Sequence, residues 1–236
     1  MYSFDSRIRY SEVNKEGKIT LNSVLNYFQD CSFFHSEDIG IGIKYLEQEQ
    51  KAWVLNAWQV QVKRYPGYGE GVTISTWPYS FKGFLGGRNF TMKTQEGEML
   101  AYANSTWTLL DLQTMHPTRL LPKMKEVYQL SKELPMEQRA RKILLPKEMK
   151  AEESFSVHHD HIDTNQHVNN GRYVGMAQEY LPETFEIGRM RAEYKKAAVY
   201  GDIIYPFIAE ETGKIIVNLA DREENPYAII ELEETI

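Results

Sequence analysis

Cysteine is nearly absent from this sequence, since Cys31 is the one cysteine among 236 residues. A single cysteine excludes an intramolecular disulfide, and disulfide frameworks are typical of secreted domains. The segment formed by residues 1–5 also lacks the basic region and the apolar core of a signal peptide. We therefore expect a cytoplasmic protein.

A long apolar run and an excess of basic residues are also missing. No stretch stays apolar over the roughly 20 residues that a membrane-spanning helix needs. The formal net charge is −6, so the charge balance does not support a nucleic-acid partner, which would favour a basic protein surface. We therefore expect no membrane span and no nucleic-acid binding.

Several familiar catalytic signatures are absent too. There is no G-x-S-x-G nucleophile elbow, and no activating motif surrounds Cys31, so the sequence does not indicate a serine or cysteine acyl-enzyme. No H-E-x-x-H pair is present. Potential metal ligands do lie close together in the sequence, namely His158, His159, His161, Asp163 and His167. Because no cysteine or helical histidine pair accompanies them, we expect neither a metal site nor a cofactor.

The first half of the chain has the pattern of one long helix and an antiparallel sheet. Apolar residues recur at helical spacing after Thr20, which can cap a helix over residues 21–37. Segments rich in alternating apolar residues predict strands, at residues 4–12, 52–64, 72–77, 88–94 and 99–112. One helix packed on a curved antiparallel sheet is an α+β arrangement.

The second half repeats this order of elements, although its amino-acid sequence has little identity to that of the first half. A short strand, a polar loop and a helix over residues 168–181 are followed by further strands, at residues 189–197, 203–210, 214–220 and 227–233. Prolines and basic residues between the halves predict a connector with short helical pieces. We therefore predict an N-terminal domain at 1–120, a connector at 121–150 and a C-terminal domain at 151–236.

The polar loop carries an acid, an amide and an imidazole at alternate positions, Asp163, Asn165 and His167. Histidine is the side chain best suited to move protons near neutral pH. An amide can hold a water or a substrate oxygen, and a carboxylate can orient its neighbours. The combination suits attack by water on an activated acyl group. N–H groups at Val168 and Asn169, where the helix begins, are candidate oxyanion donors.

The same residues also fit a purely structural interpretation. Asp, Asn and His are common in ordinary loops, and Asx residues frequently cap helices. By this interpretation Asn169 and Asn170 are helix caps and the loop has no chemistry. The pattern of the loop leaves both interpretations open.

The chain resembles the acyl-acyl carrier protein thioesterases of plants and bacteria over nearly its whole length. The Asn-Gln-His-Val-Asn-Asn run at 165–170 is the most specific part of the match. Other matching segments keep the family's order, at 53–54, 64–69, 74–77, 87–88, 97–98, 103–107, 118–120, 193–196 and 200–202, together with Tyr173.

This resemblance implies a double hotdog fold, that is, two tandem hotdog domains in which an antiparallel sheet wraps a long helix. It also implies hydrolysis of the thioester of fatty acyl-acyl carrier protein, with a free fatty acid as product. The first domain would shape the acyl pocket. The second would carry the catalytic residues, which fall on Asp163, Asn165 and His167. The partner would be acyl carrier protein bearing a fatty acyl-phosphopantetheine.

One departure from the family concerns the segment after Glu193. The family usually has a carboxylate where this chain has Ala197. Glu193 shares a strand face with Ala197 but lies about 13 Å away, so it is a poor substitute. Only Asp163, Asn165 and His167 are therefore assigned as catalytic.

Related functions remain open at this point. A hotdog dehydratase would also use a histidine and a carboxylate. A coenzyme A thioesterase would act on the same bond, and a non-catalytic binder of acyl carrier protein would not depend on His167. Basic side chains could meet the acidic carrier, namely those of Arg139, Arg141, Lys142, Arg172, Lys195 and Lys196. The oligomeric state is expected to be a monomer or a homodimer.

Overall fold

The computed structural model describes residues 1–137 and 139–235, and its contacts divide the chain into two units. The first unit comprises Met1–Asn56 and Val60–Glu137. The second comprises Ala57–Gln59 and Gln138–Ile236. No helix in the described ranges is both long and apolar enough to cross a membrane.

The first unit is built on helix α1, Leu21–Asp38. Its apolar residues return every three or four positions, which puts Val24, Leu25 and Phe28 on one buried face. The Thr20 hydroxyl accepts a hydrogen bond from the Ser23 N–H at 3.2 Å. The predicted helix and its cap are therefore confirmed.

An antiparallel sheet supports α1. Its strands are β1 Tyr2–Arg7, β2 Lys51–Val62, β3 Gly71–Lys82, β4 Leu85–Thr94 and β5 Met99–Asp111. They pair in the order β1-β3-β4-β5-β2, and the short strand β6, His116–Pro117, pairs with β5. Helix α1 packs on β3 and β1.

Two details of the first unit differ from the prediction. The predicted strand at 4–12 ends at Arg7, because a 3₁₀ turn at Tyr10–Glu12 follows. The Glu12 carboxylate accepts the Arg9 N–H at 2.8 Å, which closes that turn. A short helix α2, Ile43–Gln48, was not predicted.

The second unit has the same kinds of layers. Helix α4, Asn170–Gln178, packs on two strands, β11 Lys214–Ala220 and β12 Pro226–Glu234. The sheet is completed by β7 Lys150–Ala151, β8 Phe155–Ser156, β9 Ile187–Tyr194 and β10 Ile203–Glu211. Their order is β9-β12-β11-β10-β7, and β8 also pairs with β10. The prediction of an α+β arrangement in each half is confirmed.

The segment predicted as a connector at 121–150 is divided between the two units, and each part has buried apolar residues. Helix α3, Pro122–Val127, confirms the expectation of short helical pieces. Met124 and Tyr128 are buried with Leu109 in a core cluster of the first unit. Ile143 is buried in the second unit, where it packs on the sheet. Apolar side chains thus anchor each part of the segment, and the contacts divide the chain near residue 138. The domain boundaries at 120 and 151 stay a prediction.

We expect Met124→Ala to lower the free energy of unfolding by about 2–5 kcal/mol, because it opens a cavity in a packed core. Met124 is fully buried. Its neighbour Lys125 is exposed, so Lys125→Ala serves as control and should change stability by less than about 0.5 kcal/mol. Urea unfolding followed by fluorescence measures both. A Met124 variant as stable as its control would show that α3 is not part of the core.

Candidate active site

The loop at 163–167 is a closed turn with a defined hydrogen-bond pattern. A bridge between Ile162 and Val168 closes it, and the Asp163 N–H donates to the His167 carbonyl at 2.8 Å. Within the turn, the Gln166 N–H donates to the Asp163 carbonyl at 3.1 Å. Gln166 has a φ of 63°, a left-handed conformation that is uncommon for residues other than glycine.

The Asp163 side chain holds this turn together. Its Oδ1 accepts the Asn165 N–H at 2.7 Å and the His167 N–H at 3.4 Å. A carboxylate that accepts backbone N–H groups in this way is a local alternative to regular secondary structure. Asp163 therefore fixes the backbone conformation from which the Asn165 and His167 side chains extend.

The Asn165 and His167 side chains are exposed. In the described ranges neither side chain has a hydrogen bond or an ion pair. The structure thus brings the three predicted residues together through the loop backbone. The Asp163 carboxylate contacts the His167 N–H of the main chain and makes no hydrogen bond to the imidazole among these residues.

The N–H groups predicted to bind an oxyanion already have partners. The Val168 N–H donates to the Ala198 carbonyl at 2.9 Å, and the Asn169 N–H donates to the His161 carbonyl at 2.9 Å. Neither N–H is free to bind a substrate oxygen in this conformation, so the structure does not support Val168 and Asn169 as oxyanion donors. The Asn169 side chain caps α4 by accepting the Gly171 N–H at 2.8 Å, as the structural interpretation predicted for this residue.

A buried tyrosine supports the end of the loop. The Tyr173 hydroxyl accepts the Ala198 N–H at 2.9 Å, and the Ala198 carbonyl accepts the Val168 N–H. Burial raises the pKa of Tyr173 to about 12, and the nearby negative charges of Asp202 and Asp163 add to the effect. The hydroxyl therefore stays protonated at neutral pH. Sequence reasoning included Tyr173 in the family match but gave it no role in the site.

The missing carboxylate at Ala197 has no direct replacement. Ala197 is exposed and lies beyond the end of β9. Both oxygens of Glu193 are occupied, one by the Ile143 N–H at 3.0 Å and one by Lys195 Nζ at 2.5 Å. Glu193 is thus a structural residue, in agreement with the expectation that it is a poor substitute.

Asp202 is the carboxylate that follows this segment. Its Oδ2 accepts the Val199 N–H at 3.0 Å and the Tyr227 O–H at 3.3 Å. Burial and the Asp202 charge raise the pKa of Tyr227 to about 12. Asp202 therefore holds the backbone of the segment that contains Ala198. In the sequence, the Tyr200-Gly201-Asp202 match to the family was the feature that pointed to Asp202.

The histidines before the loop stack on one another and on an aromatic ring. The His158 and His161 rings lie 5.6 Å apart, and His159 stacks on Tyr200 at 3.8 Å. The His158 N–H donates to His161 Nδ1 at 3.1 Å, which occupies that nitrogen. Within the described ranges, no three His, Cys, Asp or Glu side chains are placed to hold a metal ion.

The first unit contains the same loop with different side chains. A bridge between Val13 and Ile19 closes it, and Asn14 Oδ1 accepts the Glu16 and Lys18 N–H groups at 3.1 and 3.0 Å. Asn14, Glu16 and Lys18 thus stand where the second unit has Asp163, Asn165 and His167. The turn is a shared scaffold of both halves, and the acid–amide–imidazole set is specific to the second.

Family models match both halves of the chain. The acyl-ACP thioesterase N-terminal domain matches residues 1–128, and the acyl-ACP thioesterase C-terminal domain matches residues 145–233. A Cuphea viscosissima acyl-[acyl-carrier-protein] hydrolase is 25% identical over 80% of this chain and 49% of its own length. An Arabidopsis thaliana palmitoyl-acyl carrier protein thioesterase is 25% identical over 90% of this chain and 56% of its own. The chain thus spans about half the length of these relatives.

Solved structures have the same fold. An acyl-ACP thioesterase from Bacteroides thetaiotaomicron superposes with a TM-score of 0.90 at 22% identity, covering 99% of this chain and 97% of the other. The 12:0-ACP thioesterase from Umbellularia californica gives 0.85 at 18% identity, covering 99% and 96%. The predicted double hotdog fold is confirmed.

We expect Tyr173→Phe to destabilise the second unit by about 1–3 kcal/mol, because the buried Ala198 N–H loses its acceptor. The half-buried Tyr180 has no side-chain hydrogen bond in the described ranges, so Tyr180→Phe is the matched control. Chemical unfolding of both variants makes the comparison. Equal stabilities would show that the link from Tyr173 to the loop contributes nothing.

Proposed function

The chain belongs to the acyl-ACP thioesterase family, and we propose that it hydrolyses the thioester joining a fatty acyl chain to acyl carrier protein. The products are a free fatty acid and the carrier with its phosphopantetheine thiol restored. One observation carries the proposal: the loop at 163–167 presents the Asn165 and His167 side chains, exposed and without a partner among the described residues, inside the segment that matches the family's C-terminal domain.

His167 is the general base in this proposal. Its imidazole takes a proton from water as the water oxygen attacks the thioester carbonyl carbon. The tetrahedral intermediate then collapses, the carbon–sulfur bond breaks, and the leaving thiolate takes the proton back from the imidazolium. The exposed position of His167 gives a water molecule access to the imidazole. No acyl-enzyme forms along this route.

Asn165 positions the reacting oxygen. Its amide N–H groups can donate to the carbonyl oxygen as negative charge develops there, and the amide does not titrate. This role replaces the oxyanion contribution first expected from Val168 and Asn169. Asp163 acts on the loop through the main-chain N–H groups of both residues, so in this proposal it is a positioning residue.

The carrier protein would meet basic side chains that have no intramolecular partner. Arg139, Lys195 and Lys196 pair with carboxylates of the second unit, so they are less available. Among the described residues, Arg141, Lys142 and Arg172 have no ion pair and are exposed. These three are the candidates for steering an acidic carrier. The monomer or homodimer state and the cytoplasmic location remain predictions.

We expect His167→Ala to lower kcat/KM for acyl carrier protein thioesters by two or more orders of magnitude, since it removes the base. The assay is release of free thiol from thioesters of varied chain length. His159→Ala is the control, because His159 is also exposed, lies outside the turn at 163–167 and stacks on Tyr200. It should keep the wild-type rate within about twofold.

The same assay separates the alternative functions. Acyl-coenzyme A substrates hydrolysed faster than carrier thioesters would identify a coenzyme A thioesterase. If the protein binds the carrier but releases no thiol from any substrate, it is a non-catalytic binder of acyl carrier protein. Unchanged release by His167→Ala would contradict the proposed mechanism while keeping the activity.

A further inference from the structure

The segment at 198–202 is joined by a hydrogen bond to the residue that follows the turn at 163–167. The Ala198 carbonyl accepts the Val168 N–H at 2.9 Å, and Val168 comes directly after His167 in the chain. Both residues of this bond are buried. Buried peptide groups need fixed partners, because an unpaired polar group in the interior is costly. The placement of His167 therefore depends on what holds the Ala198 peptide.

The first unit contains a segment of the same conformation at 66–70. Its first carbonyl, that of Pro66, accepts the Ile19 N–H at 2.9 Å. A glycine with a positive φ follows three residues later in each unit, Gly69 at 81° and Gly201 at 84°. Glycine adopts this conformation at little cost. The two segments can therefore be compared position by position.

A carboxylate closes each segment in the same way. Glu70 Oε2 accepts the Gly67 N–H at 3.0 Å, and Asp202 Oδ2 accepts the Val199 N–H at 3.0 Å. A feature that is present in both units cannot explain why only the second has the acid–amide–imidazole set. The carboxylate bond is therefore part of the scaffold that both units share.

The N–H of Ala198 is where the two segments differ. Its counterpart in the first unit is Pro66, and proline has no N–H. In the second unit the Tyr173 hydroxyl accepts the Ala198 N–H at 2.9 Å. Tyr173 stands four residues after the cap of α4, whereas the residue four after the Thr20 cap of α1 is Val24, which has no hydroxyl. The Tyr173 bond is thus specific to the unit that contains the proposed catalytic loop.

We propose that Tyr173 is a positioning residue for the hydrolysis, a role that rests on the proposed function. Its hydroxyl fixes the Ala198 peptide, and the Ala198 carbonyl in turn fixes the Val168 N–H. Val168 sets the main chain from which His167 extends. The hydroxyl acts through the backbone and takes no part in proton transfer. A displacement of about 1 Å in a catalytic group can slow a reaction by up to about a hundredfold.

The first test is steady-state kinetics of Tyr173→Phe, with the carrier thioester that the wild type hydrolyses fastest and at a temperature where the variant is fully folded. We expect kcat to fall about tenfold and KM to stay within about twofold, because the imidazole is displaced while the substrate-binding surface is unchanged. Tyr194→Phe is the matched control, since the Tyr194 hydroxyl donates to the Asn170 carbonyl of α4 at 2.9 Å. It removes a tyrosine hydrogen bond of the same unit that does not involve the segment at 198–202, so kcat should stay within about twofold.

The second test does not require activity. Amide hydrogen exchange of Val168, followed by NMR in isotope-labelled protein, reports whether its N–H keeps the Ala198 carbonyl as acceptor. We expect Tyr173→Phe to speed this exchange about tenfold, because the Ala198 peptide loses the partner of its own N–H. Tyr194→Phe should exchange at the wild-type rate.

Three results would overturn the proposal. A folded Tyr173→Phe variant with the wild-type kcat would show that the hydroxyl has no positioning role. An equal fall of kcat in Tyr194→Phe would assign the effect to general loosening around α4. Unchanged Val168 exchange in Tyr173→Phe would show that the bond does not hold the end of the turn. A wild type that hydrolyses no thioester would instead contradict the proposed function, and the exchange rates would still decide whether Tyr173 holds Val168.

Discussion

The Asp163 carboxylate is the interaction on which the rest of the candidate site depends. One of its oxygens accepts the main-chain N–H groups of Asn165 and His167, so a single side chain sets the shape of a five-residue turn. The two side chains then leave the turn exposed and unpaired in the described structure. In the proposed mechanism, a base and an amide held this way need little reorganisation before reaction, and such preorganisation lowers the activation barrier.

The repeat of this turn in the first unit shows that the backbone conformation of the turn does not depend on the side chains at its second and third alternate positions. Asn14 holds the first loop with the same two acceptor bonds that Asp163 makes in the second. An amide oxygen is therefore sufficient to shape the turn, and a negative charge is not required for it. The two units share backbone geometry and differ in the side chains that the turn presents.

Local patterns in the sequence predicted much of this structure. Helix α1, its Thr20 cap and the position of the polar loop follow from periodicity and capping residues that are close in sequence. The link from Tyr173 through Ala198 to Val168 could not be predicted, because it joins residues up to 30 positions apart. The occupied N–H groups at Val168 and Asn169 depend on partners outside the loop.

The most direct test of the account compares kcat/KM for acyl carrier protein thioesters in the wild type, Asp163→Asn and Asp163→Ala. Asparagine keeps an oxygen that can accept both N–H groups, as Asn14 does, whereas alanine removes it. We predict that Asp163→Asn stays within about tenfold of the wild type and that Asp163→Ala loses at least a further tenfold. Equal losses in the two variants, both folded, would show that Asp163 acts through its charge and would contradict the positioning role.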